Sequence, residues 1–141
     1  MRKRTGHLVV SEASFDRDRW PNFSFGELRC RHTGACLMDE SFLDRLQLLR
    51  DAVGPLVVSS GYRSQDHPVE AKKDRPGAHT YGRAVDVACR GEQAYQVLGK
   101  ALELGFTGIG VSQSGEGGRF LHLDDLGNVE YHGPRPAVWS Y

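Results

Sequence analysis

Apolar residues recur at helical spacing in "DESFLDRLQLLRDAV", where Phe42, Leu46, Leu49 and Val53 form one stripe. Asp39 or Ser41 stands at the N-cap and Gly54-Pro55 closes the segment, so an amphipathic helix is expected over 39–53. The β-branched run "LVVSS", 56–60, reads as a strand that ends at Gly61. A second helical stripe, Ala94, Val97, Leu98 and Ala101, spans Glu92 to Leu104 before Gly105. Period-two alternation appears in "RAVDVACR", with Ala84, Asp86 and Ala88 on one side and Val85, Val87 and Cys89 on the other. "GIGVS" and "RFLHLDD" are two further short strands; in the latter Phe120, His122 and Asp124 share a face opposite Leu121 and Leu123. The polar stretch 62–81, broken by Pro68, Pro76 and Gly77, is expected to be a long loop with one short helix begun at Pro68.

Two helices and four strands that mostly follow one another imply an α+β fold with a small, mainly antiparallel sheet flanked by helices. A length of 141 residues fits a single domain, 1–141, with about 1–20 as an extension packed on or preceding the core. Eighteen basic and eighteen acidic residues cancel, which gives no reason to expect a nucleic-acid partner. "MRKRTGHLVV" has too short an apolar run for a signal peptide, and no stretch is long enough to span a bilayer. A soluble chain, a monomer without membrane insertion, is therefore expected. Cys30, Cys36 and Cys89 are expected to be reduced and buried. "CRHTGAC", with His32, lacks both a second ligand pair and the usual short cysteine spacing of a metal site.

Chemistry enters with Asp86, a carboxylate on a strand face otherwise lined by alanines. Burying it is costly unless it is paired or bound to a metal, so either it faces water or it has a partner. His79, seven residues earlier, and His122, thirty-six later, are the natural partners. Two imidazoles and one carboxylate with a position left for water is the ligand count of a catalytic zinc site. His7, His32 and His132 show no such pattern.

"SSGYRS" (59–64), "HTYGRAVD" (79–86), "GIGV" (108–111) and "FLHLD" (120–124), in this order, resemble the zinc D-alanyl-D-alanine carboxypeptidase and L-alanyl-D-glutamate endopeptidase family, whose fold hedgehog-type domains share. The likeness runs from "FSFGELRC" near Phe23 to the closing "RPAVWSY". It implies Zn2+ held by His79, Asp86 and His122. It also implies that Arg63 serves catalysis and substrate binding by directing its donors at a carbonyl or oxyanion. Tyr62 and His67, close to Arg63 in sequence, join the expected substrate-binding set. The implied substrate is a peptidoglycan stem peptide or cross-link, cut by hydrolysis of an amide bond. The implied setting is a phage or prophage endolysin that reaches the cell wall once the membrane has been opened. A host D,D-carboxypeptidase and a non-catalytic zinc-containing binding or assembly module are the alternatives.

Two positions depart from the family pattern. Arg119 stands where many members carry an acid three residues before the last zinc histidine. Asp124 is the first substitute as catalytic base, or else a residue that orients an imidazole; Glu116 and His132 are the others. Gly77 stands where many members have a serine that holds a substrate carboxylate. In its absence Lys72, Lys73 and Arg75 are the cations nearby.

Overall fold

A computed structural model describes residues 8–114, 118–127 and 133–141. Short strands β1 (Leu8–Val9) and β2 (Met38–Asp39) pair antiparallel, with helix α1 (Phe25–Leu28) between them. Helix α2 (Glu40–Val53) and strand β3 (Val57–Ser60) follow, then the short α3 (Pro68–Ala71), strand β4 (Ala84–Ala88) and helix α4 (Gly91–Glu103). Strands β5 (Gly108–Ser112), β6 (Phe120–Asp124) and β7 (Ala137–Ser140) complete the order. The main sheet runs β3-β4-β6-β5-β7, antiparallel except for the parallel pair β5–β7.

The expected elements form where the pattern puts them. Asp39 caps α2 by accepting from the backbone N–H of Ser41 (2.9 Å) and Phe42 (3.1 Å). Gly54, at φ 90°, ends that helix in a conformation open to glycine. One face of the sheet, through Val58, Val85, Val87, Leu121, Leu123 and Ile109, shares a core with Phe42, Leu46 and Leu49 of α2 and Val97 and Ala101 of α4. The N-terminal stretch contributes too, since Val9, Phe15 and Trp20 are buried in the same cluster. Covering one face with helices leaves the opposite face of β4, β6 and β5 free to carry polar side chains. β1, β2 and α1 escape the periodicity reading because each is too short to display a period, and β7 escapes it although its four residues alternate.

Candidate metal centre

Strand register assembles two thirds of the site. Asp86 of β4 lies directly opposite His122 of β6, so their side chains rise from one face as adjacent cross-strand neighbours. Ala84 and Ala88 flank Asp86 on that face and leave room for it. On the other side of His122, β5 presents Gly108 and Gly110. A Cβ at Gly108 would overlap the Asp124 carboxylate, and one at Gly110 would lie 2.6 Å from the Trp139 indole nitrogen. The two glycines thus let Asp124 and Trp139 reach across β5 toward His122, whose ring lies 5.2 Å from that of Trp139.

His79 arrives from a 3-10 turn, Ala78–Tyr81, closed by Gly82 in the left-handed region at φ 71°. A side chain at Gly82 would also strike the Leu37 carbonyl, so both conformation and space require glycine. The turn is tied to the "SSGYRS" segment twice. His79 Nδ1 bonds the Gly61 carbonyl at 2.8 Å, and Arg63 N–H donates to the His79 carbonyl at 3.2 Å. Tyr62 N–H in turn donates to the Leu28 carbonyl at 2.8 Å, which docks the segment on α1.

These partners fix the proton positions. A carbonyl only accepts, so His79 Nδ1 carries the hydrogen and Nε2 the lone pair. His122 Nε2 faces Asp124 Oδ2 at 2.7 Å, and Asp124 is itself gripped by both Nε (2.9 Å) and Nη2 (2.8 Å) of Arg135. With that ionised carboxylate accepting at Nε2, the lone pair of His122 falls on Nδ1. His79 Nε2, Asp86 Oδ1 and His122 Nδ1 then converge, 3.1 Å, 3.1 Å and 3.3 Å apart. Three buried donor atoms meeting at one point call for a cation among them, a metal ion or the proton that His122 takes up in its place. Their spacing matches the roughly 3.3 Å edge of a tetrahedron built on metal–nitrogen bonds of about 2.0–2.1 Å. Among the described residues this trio is the one group of three able to hold a metal ion.

The charges respond accordingly. Burial lowers the His79 pKa, and Asp86 only partly offsets it. Burial also opposes charge on His122, yet Asp124 and Asp86 on its two sides raise its pKa above the ordinary value. Asp86 is held well below the usual carboxylate range: burial works against ionisation, but bonds from His122 and His79 prevail. A proton on His122 is therefore what a metal has to displace.

The trio lines a cavity of about 280 Å³. Arg63 stands on its wall with Nε on Ser60 Oγ (3.1 Å), Nη1 3.5 Å from Glu70 Oε2 and Nη2 3.6 Å from Asp86 Oδ2. Lys73, Phe120 and Tyr141 line the same cavity. Of the other expected substrate residues, Tyr62 is buried and off the cavity wall, and His67 caps α3 by accepting from Val69 N–H at 3.1 Å. Asp124 is fully buried and meets His122 on the nitrogen turned away from the trio. That contact is the kind through which a carboxylate orients an imidazole. Glu116, His132 and His7 lie outside the described residues. Cys30, Cys36 and Cys89 are free and buried, and Arg119 bonds the Gln113 carbonyl.

Sequence reasoning missed Glu70, Arg135 and Trp139. The alternation in "AVWSY" was the available signal for the last; nothing local marks Glu70 within its charged run.

The family model described as peptidase M15 matches residues 21–124, and the chain belongs to that family, whose members are zinc-dependent metallopeptidases. The match takes in Arg63 and the whole trio and ends at Asp124, so Arg135, Trp139 and Tyr141 lie beyond it. Comparison with curated proteins and with solved structures gives no match.

Proposed function

We propose that this peptidase M15 member is a zinc-dependent hydrolase of amide bonds in peptidoglycan stem peptides or cross-links, with His79, Asp86 and His122 as the metal ligands. The observation that carries the reading is the convergence of two imidazole nitrogens and a carboxylate oxygen at the wall of an open cavity beside an arginine. Bound zinc supplies an acidified water and a Lewis acid for the scissile carbonyl. Arg63, held by Ser60 and Glu70, directs its fork at the place where negative charge develops on the substrate oxygen. Asp124, backed by Arg135, keeps the His122 tautomer with its lone pair on the ligand side. Proton transfer to the leaving amine is assigned to Glu116 or His132. Wall lysis of the phage or prophage type is the setting implied by the resemblance.

A second reading, a zinc-containing binding module, is favoured by one observation: among the described residues Asp86 is the one side-chain carboxylate on the cavity wall, and it belongs to the trio that could hold the metal. Purified sacculi separate the two. Hydrolysis gives new amino groups and released peptides that chelator abolishes and zinc restores, with mass spectrometry of the products fixing the bond. Zinc retained without any peptide bond cut in any wall chemotype leaves the module reading.

A further inference from the structure

Gly77 sits at φ −77°, ψ 172°, an ordinary extended conformation, so its backbone does not call for glycine. Space does. A Cβ there would lie 2.6 Å from Lys73 Nζ and 2.7 Å from Glu70 Oε1. The volume that a residue-77 side chain would occupy is thus filled by an ion pair, Lys73 Nζ to Glu70 Oε2 at 2.9 Å. Glu70 anchors the arrangement. Its side chain is 1% exposed, and it also accepts the Gly77 N–H at 2.9 Å and faces Arg63 Nη1 at 3.5 Å. Burial resists its ionisation, but these donors prevail and its pKa is lowered. One buried carboxylate therefore gathers the two cations that line the cavity; Arg63 also faces Asp86, whereas Lys73 pairs with Glu70 alone among the described residues. Lys72 and Arg75 are exposed and not on that wall.

The lining also has an aromatic part, with the Phe120 and Tyr141 rings 5.2 Å apart. A cavity that joins a cation, aromatic rings and metal donors in one lining suits a peptide that carries a carboxylate beside the reacting amide. Lys73 keeps 42% of its side chain exposed, so its remaining donors stay within reach of a ligand.

We propose that Lys73, held by Glu70 in the space left open by Gly77, is a specificity-determining residue that binds a substrate carboxylate flanking the scissile bond. The inference rests on the peptidase reading for the word substrate, but not for the binding itself. Two sources share that chemistry, a free C-terminal carboxylate and the α-carboxylate of an internal D-glutamate, and paired peptides distinguish them. Each peptide is made with the carboxylate and with its amide. Calorimetry then measures binding to the chelator-treated full chain, and cleavage is followed with the zinc-loaded chain.

In one of the two pairs the wild type should prefer the carboxylate by about tenfold or more, the scale of a charge-assisted hydrogen bond. Lys73→Gln should abolish the preference and raise KM about tenfold with kcat within about twofold, and Lys73→Arg should restore most of it. A Lys73→Gln protein that keeps the preference, or a wild type with none in either pair, overturns the proposal. If the calorimetric preference depends on Lys73 while no peptide is cut, the carboxylate site stands and the hydrolase reading falls.

Discussion

The two sides of the cavity are built by different means. Asp86 and His122 come from the centre of the sheet, where backbone ladders set their register and every polar atom of His122 has a partner. Arg63, Glu70 and Lys73 come from the loop-rich stretch between β3 and β4, where side chains hold one another and Lys73 is partly exposed. The first side has one solution, because shifting β6 by one residue would turn His122 into the core. The second can exchange Lys73 or Gly77 without touching the ladder. The proposed metal centre is accordingly fixed by the fold, and the proposed carboxylate site is the part open to exchange.

The sharpest way to break the first side is to remove a ligand. Asp86→Ala or His122→Ala should bring bound zinc, read by metal analysis, to background and abolish hydrolysis with it, since two remaining ligands are too few. Retention of stoichiometric zinc in either variant would refute the assigned trio. The next largest effect belongs to the second side. Arg63→Met should lower kcat by about 10²–10³-fold while zinc content is unchanged, the usual consequence of losing one oxyanion donor. A change confined to KM would instead make Arg63 a ground-state binder.

Asp124→Asn probes what stands behind the ligands. The buried Asp124–Arg135 pair polarises His122, so neutralising it should weaken zinc affinity by about 10–100-fold, measured by competition with a chelator. If Asp124 were instead the base, kcat would fall at saturating zinc with affinity intact. Glu116→Gln and His132→Asn, assayed alongside, locate the proton carrier by the loss of kcat at full zinc occupancy.

The sheet-borne side was legible in the sequence for a physical reason. Period-two alternation placed Asp86 between alanines and His122 between Phe120 and Asp124, and the observed register puts them opposite one another. What alternation cannot convey is depth. Asp124 shares the face of His122, yet Gly108 on β5 opens a hollow into which its carboxylate sinks, away from the cavity. The loop-borne side carried no period at all. Glu70 reads as one charge in "EAKKDRPG", and only the return of the chain at Gly77 reveals that it is buried. Nor does sequence adjacency convey direction: at the bend after β3 Tyr62 packs in the core while the next residue, Arg63, lines the cavity.

The smallest effect expected is the most informative about how the second side is held. Glu70 is ionised and buried against Lys73, the Gly77 amide and Arg63, which lower its pKa despite the cost of burial. A group whose folded pKa is depressed stabilises the fold above its unfolded value, about 4.3, and that contribution disappears as pH falls through the folded pKa. Glu70→Gln should therefore cost about 1–3 kcal/mol in urea unfolding at pH 7, the worth of hydrogen bonds to a charged acceptor. Its gap to wild type should narrow steadily below about pH 4. Zinc affinity should stay within a few-fold, because no ligand touches Glu70, while discrimination between carboxylate and amide peptides should weaken as Lys73 and Arg63 lose their common anchor. A pH-independent gap would mean that Glu70 acts through packing, and an unaltered peptide preference would mean that the two cations are held by something other than their shared carboxylate.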